Sequence, residues 1–304
     1  MFLVLLVKGF LIGIAFIIPG LSGGTMAIYL GVYQPMLEAI SQVFRHFRKS
    51  IAYLLPIGIG IVVSIVSFAR VIGWLLDVNS FATLLFFVGL ILGGMKKLKG
   101  QIDLKKTNKA AFLLAGLSFL SVILLFVGKT LTGNNPSTII PFGFTEIIIL
   151  LLLGAVTAAT MIIPGGSGSA LLMVLGYYSA IVTGVVGNVF DFSAFAYNLY
   201  VIAFFAIGGL LGILVASIVL NRLIKKYPSE SMLVIMGFLY ASAIILFFEI
   251  RHPELGTSFD AQIPIFRDYV SFFLNEWPSF IAGIFTLITG FYVSRRMIAL
   301  AEQR

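Results

Sequence analysis

Two stretches combine residue types that could hold an anion. Ser22 and Thr25 stand in Pro19-Gly20-Leu21-Ser22-Gly23-Gly24-Thr25, while Ser167 and Ser169 stand in Pro164-Gly165-Gly166-Ser167-Gly168-Ser169. Each interrupts a long apolar run just before a further helical piece. The first backbone N–H groups of such a piece have no intrahelical acceptor. Those donors and the positive end of the helix dipole favour an anion. Glycine lets the backbone approach it closely, and the hydroxyls add rotatable donors. The candidate binding set is therefore Pro19, Gly20, Ser22, Gly23, Gly24 and Thr25 with Gly165, Gly166, Ser167, Gly168 and Ser169. Placed face to face, the two breaks suit a phosphate. The competing explanation is tight turning and small-residue helix packing, a common use of glycine in membranes. Neither stretch ends in the Gly-Lys-Ser/Thr of a P-loop.

Three charged residues join this set. Arg70 lies inside the apolar run Phe68-Ala69-Arg70-Val71-Ile72, and Arg222 is its counterpart in the second half of the chain. An arginine within a membrane is costly and faces a cavity or a partner, and its guanidinium suits phosphate. Arg70 could instead pair with Asp77 or reach the outer interface, and Arg222 could be an ordinary cytoplasmic anchor. Glu38, after the first break, is a candidate proton carrier, with an interfacial carboxylate as the simpler reading.

These residues must be positioned by membrane helices. Of 304 residues, 60% are hydrophobic and 11% charged, and apolar runs of about 20 residues recur from end to end, as in a polytopic helical membrane protein. The chain has no cysteine and two histidines, His46 and His252, so disulfides and thiolate metal sites are excluded and no metal or cofactor is expected. The net charge of +8 is best explained by sidedness, and no nucleic-acid partner is expected. The N-terminus lacks the basic n-region and cleavage site of a signal peptide.

The second break repeats the first. Over positions 17 to 33, nine of seventeen residues recur 145 positions later without a gap, including Leu30-Gly31 and Tyr33 as Leu175-Gly176 and Tyr178. The expected fold is all-α, with two inverted-topology repeats, each a broken, re-entrant helical hairpin plus three transmembrane helices. The first repeat covers 1–128, with hairpin 2–47 and spans 51–77, 81–95 and 110–127. An external linker follows at 129–145. The second repeat covers 146–304, with hairpin 146–190 and spans 195–220, 232–249 and 277–293. Within the first hairpin, Gln34-Pro35 is expected to end or kink the piece from Met26 to Tyr33. Ala170 to Phe190 is expected to carry the second onward.

Fifteen of the twenty lysines and arginines fall in four clusters, at 45–49, 96–109, 222–226 and 295–304. One threading puts all four in the cytoplasm, with both termini, and places Trp74 and Trp277 at the outer interface. The halves then run in opposite senses, so their glycine-rich tips enter from opposite faces and meet near the midplane. Transporters built from inverted repeats bind substrate there.

With Pro19-Gly20-Leu21-Ser22-Gly23-Gly24-Thr25 followed by Leu30-Gly31-Val32-Tyr33, and with the second break at Pro164 to Ser169, the chain resembles the bacterial polyprenyl-phosphate (undecaprenyl-phosphate) translocases of the PopT type over essentially its whole length. The resemblance implies flipping of undecaprenyl phosphate, the lipid carrier of cell-wall sugars, from the outer to the inner leaflet of the bacterial cytoplasmic membrane. The partners implied are the polyprenyl phosphate lipid and the bilayer, and no enzymatic activity is implied. In the second break Gly168-Ser169-Ala170 stands where the first has Gly23-Gly24-Thr25, so the two tips need not contribute equally. The alternatives are a transporter of a small water-soluble anion and a membrane polyprenyl-pyrophosphate phosphatase. The phosphatase is disfavoured by the lack of an acid-rich metal motif or placed histidines.

Overall fold

The computed structural model describes residues 2–17, 22–103, 107–132, 140–177, 180, 181, 185, 194–248 and 277–302. Among these, every regular element is a helix: α1 Phe2–Ile17, α2 Gly23–Tyr29, α3 Tyr33–Ser41, α4 Phe47–Lys99, α5 Lys109–Thr132, α6 Phe144–Ile162, α7 Gly168–Val174, α8 Phe195–Lys226, α9 Pro228–Phe248 and α10 Trp277–Glu302. Seven segments are long and apolar enough to cross a membrane: both limbs of α4, together with α5, α6, α8, α9 and α10. Val66, Leu113, Leu210 and Phe285 are exposed on their outer faces, where lipid takes the place of water. This is a multi-pass membrane protein.

The two spans expected at 51–77 and 81–95 are the two limbs of α4, separate helices that meet at a kink. The break in α4 falls at Asn79 (φ −158°, ψ 88°). Its side-chain oxygen accepts the Ala82 N–H at 2.8 Å, capping the second limb, and its amide nitrogen donates to Ser279 Oγ at 3.2 Å. Thr83 Oγ1 donates back to the Leu75 carbonyl at 2.9 Å. The polar groups opened by the bend are thus paired inside the protein, as lipid requires.

Glycines set the helix packing, because close backbone approach drives association where lipid is as apolar as the side chains. Gly9 and Gly13 of α1 lie against Ile57 and Ile61 of α4, and Gly208 and Gly212 of α8 lie against Leu151 and Ala155 of α6. In both pairs residue numbers rise together, so the helices are parallel. The second limb of α4 packs in parallel with α10, through Gly283 at Phe81 and Gly290 at Phe86. Likewise α5 packs with α9, through Gly237 at Ala115 and, further along, Val122 with Ala241 and Ile245. The largest core gathers α1, α2, α3, the second limb of α4 and α9, with Tyr29, Leu37, Ile91 and Leu239 fully buried.

The expected stop at Gln34-Pro35 is corrected. Helix α2 ends at Gly31, whose φ of +70° is the left-handed conformation glycine adopts without penalty. The Gly31 N–H donates to the Ile28 carbonyl and the Val32 N–H to that of Ala27, which is a Schellman cap. Pro35 sits in the first turn of α3, where its missing N–H costs nothing. The second copy stops the same way: Gly176 has φ +78° and the Tyr177 N–H donates to the Leu172 carbonyl. The run expected from Ala170 to Phe190 is therefore cut at Gly176, and most of 178–193 lies outside the described residues.

Candidate functional site

Helix α2 is buried along its whole length, and its N-terminus meets the second break. Ser22 is the N-cap of α2 but makes no side-chain cap hydrogen bond. Its hydroxyl instead donates across to the Ile163 carbonyl at 3.4 Å, and the Tyr33 hydroxyl donates to the Ile162 carbonyl at 3.1 Å. Gly24 sits where a Cβ would come within 2.8 Å of the Ile162 carbonyl oxygen and 3.4 Å of Pro164 Cα. The two stretches that echo each other in sequence are therefore in contact.

On the far side of this junction Gly165 (φ +83°) turns the chain against Phe238 of α9. The Ser242 hydroxyl, buried in α9, donates to the Gly165 carbonyl at 2.9 Å. The Gly166 N–H closes the turn onto the Ile163 carbonyl at 2.9 Å. Ser167 and Gly168 lead into α7, with Gly168 packed on Thr157 and Met161 of α6. Thr25 Oγ1 and Thr157 Oγ1 are buried with no hydrogen-bond partner among the described residues. A hydroxyl left so costs about 1–3 kcal/mol, which makes Thr25 Oγ1 the strongest unmet demand beside the first break. Pro19 and Gly20 lie outside the described residues, as do the side chains of Ser169 and Arg70.

The remaining candidates lie elsewhere. Arg222 is exposed in the last turns of α8, in the stretch that also carries Asn221 and Lys225 to α3. Lys225 Nζ lies 2.6 Å from Glu38 Oε1, and Asn221 Nδ2 donates to Ser41 Oγ at 3.1 Å. The Glu38 carboxyl is held below the usual carboxylate range, chiefly by the Lys225 hydrogen bond, with desolvation opposing and the Lys225 charge, Gln42 and Lys49 assisting. Glu38 is thus ionised at neutral pH in this conformation.

Two contributors were not singled out from sequence. Ser242 acts through a single hydroxyl reaching across 77 positions, with no local pattern to mark it. Lys8 left a signal, as a charge inside an apolar helix. Its ammonium donates to the Leu30 carbonyl at 2.8 Å, holding the C-terminal end of α2 from the neighbouring α1.

The sequence profile of the undecaprenyl phosphate translocase-like family matches residues 12–252, which takes in both breaks and the helices that carry them. The chain belongs to that family. Similar proteins include a polyprenyl-phosphate transporter of Vibrio cholerae, 29% identical over 248 residues, covering 76% of this chain and 73% of the relative. A polyprenyl-phosphate transporter of Staphylococcus aureus is 29% identical over 253 residues, covering 80% and 85%. No solved structure matches.

Proposed function

We propose that this protein moves a polyprenyl phosphate, specifically undecaprenyl phosphate, across the bacterial cytoplasmic membrane, holding the headgroup between the paired breaks while the prenyl chain stays in lipid. The observation that carries this reading is the meeting of the breaks at Ser22, Gly24 and the Ile162-Ile163-Pro164 backbone, with the unpartnered hydroxyl of Thr25 beside it. Membership of the family and the names of the two bacterial relatives supply the substrate class. Ser167, Ser169 and Arg70 complete the proposed ligand set, and Arg222 would meet the headgroup nearer the membrane surface.

The helix packing supports an inverted duplication. Each broken arm lies parallel to the first full span of its own half: α1 with the first limb of α4, and α6 with α8. A chain that runs the same way in α1 and in α4 must return between them, which is the work of a re-entrant α2 and α3. Crossing in alternation from there, the chain enters α6 in the sense opposite to α1. The last span of each half packs on the middle span of the other, α5 on α9 and α10 on the second limb of α4. Rocking of two such interlocked halves would present the junction to each leaflet in turn. A cytoplasmic position for the ends of α4, α8 and α10, and for both termini, is supported by the basic clusters.

The test in cells is recycling of the lipid carrier by Ser22→Ala combined with Ser167→Ala, alongside Arg70→Ala. Recycling should be abolished with folded protein still in the membrane. Normal recycling in both variants would refute the assignment of the breaks.

A further inference from the structure

We propose that Lys225 is the cation that receives an incoming lipid phosphate at the basic face, and that Glu38 occupies Lys225 until the headgroup displaces it. This rests on the lipid-phosphate reading above.

The pair joins the two halves of the chain. Glu38 lies on α3, which follows α2 and the first break after one turn, and Lys225 lies at the end of α8. Other basic residues lie on the same elements: Arg222 and Lys226 on α8, and Arg48 and Lys49 at the start of α4. Lys49 is near enough to act on the Glu38 charge. An anionic headgroup arriving from that leaflet would be drawn there before it reached the breaks.

The side chains of Lys225 and Glu38 are 48% and 46% exposed, so the ammonium is reachable without opening the core. Carboxylate and phosphate are both oxyanions that accept charge-assisted hydrogen bonds from an ammonium. An exposed pair of this kind contributes little to stability, so exchanging one oxyanion for the other is nearly balanced. The second link beside it is also ready to rearrange, because Asn221 Oδ1 is buried without a partner while its amide nitrogen holds Ser41. Glu38 therefore serves as an internal stand-in for the phosphate. Its release removes a polar link between α3 and α8.

Competition and mere scaffolding differ in sign. Binding of a short-chain polyprenyl phosphate to purified full-length protein in nanodiscs is measured for wild type, Glu38→Gln, Lys225→Gln and Lys225→Arg, with neutral polyprenol and inorganic phosphate as further probes. Removing the competitor in Glu38→Gln should tighten binding about two- to fivefold. Removing the receiver in Lys225→Gln should weaken it about tenfold, with Lys225→Arg close to wild type. Polyprenol binding should respond to none of them. Glu38→Gln and Lys225→Gln moving affinity in the same direction would overturn the proposal. Inorganic phosphate binding as tightly as the lipid, with the same order of variants, would assign the place to free phosphate and overturn the lipid part. A wild type that shows the opposite-sign pattern yet carries no lipid across a bilayer would sink the transport reading alone.

Discussion

The Ser22 hydroxyl, at the start of α2, donates to the Ile163 carbonyl 3.4 Å away, across 141 positions of chain. An N-cap serine ordinarily turns its oxygen onto its own helix. Here it is spent on the other break, while the Ser22 carbonyl accepts the Thr25 and Met26 N–H groups. That arrangement joins the two copies of the motif.

The closeness of Gly24 to the second break gives a direct prediction. A methyl at this position would press on the Ile162 carbonyl oxygen and on Pro164 Cα, both backbone atoms that cannot swing aside. Gly24→Ala should destabilise the protein by about 1–3 kcal/mol and abolish lipid transfer. Thermal unfolding in detergent and transfer in liposomes check the two parts separately.

Thr25 carries a prediction of opposite signs. Its hydroxyl is buried with no partner among the described residues, so the near-isosteric Thr25→Val should leave the lipid-free protein as stable or up to about 1 kcal/mol more so. Affinity for polyprenyl phosphate should fall in the same variant, while Thr25→Ser should keep it. Unfolding curves with and without the lipid would show both effects. Destabilisation of the lipid-free protein by Thr25→Val would remove Thr25 from the site.

Gly31 tests the stop that gives each hairpin its shape. A Cβ there would meet open space, so the effect of Gly31→Ala comes from the φ of +70° alone. Left-handed backbone costs an L-residue about 1–2 kcal/mol, and the drop in unfolding free energy should match. Gly176→Ala should behave alike, since its φ is +78° and its surroundings are equally open.

The Glu38–Lys225 pair predicts a pH dependence whose sign follows from the depressed carboxyl. A group with a lowered folded pKa adds stability above its unfolded value, near 4.3 for glutamate, and loses it as pH falls through the folded one. The gap in stability between wild type and Glu38→Gln should therefore hold from neutral pH to about pH 5 and close below about pH 4. Half exposure keeps it under about 1 kcal/mol. Melting temperatures of the two proteins across that range check it.

Much of the architecture was legible because apolar runs and punctuation are local. The echo of Leu30-Gly31 in Leu175-Gly176 is now seen to be a repeated helix stop, with Gly31 and Gly176 both left-handed. Pro35 misled because a proline is disruptive only beyond the first helical turn, and the true start of α3 at Tyr33 depends on Gly31 before it. The break at Asn79 falls between the spans expected at 51–77 and 81–95, but the Ser279 that holds it lies 200 positions away. The sequence reading set Arg70 against Arg222. Packing instead makes Gly208 the match for Gly60, since Gly60 rests on Leu6 as Gly208 rests on Leu151. In that register Arg222 stands one helical turn beyond the level of Arg70. The pairing of Glu38 with Lys225 is tertiary and left no trace in either segment.

The most direct measurement is movement of labelled undecaprenyl phosphate between the leaflets of liposomes containing the purified protein, compared with Gly24→Ala and with empty liposomes. Wild type should exchange the lipid between leaflets well above the protein-free rate, and Gly24→Ala should fall back to it. Wild-type exchange no faster than in empty liposomes, from protein shown to be folded, would contradict the account.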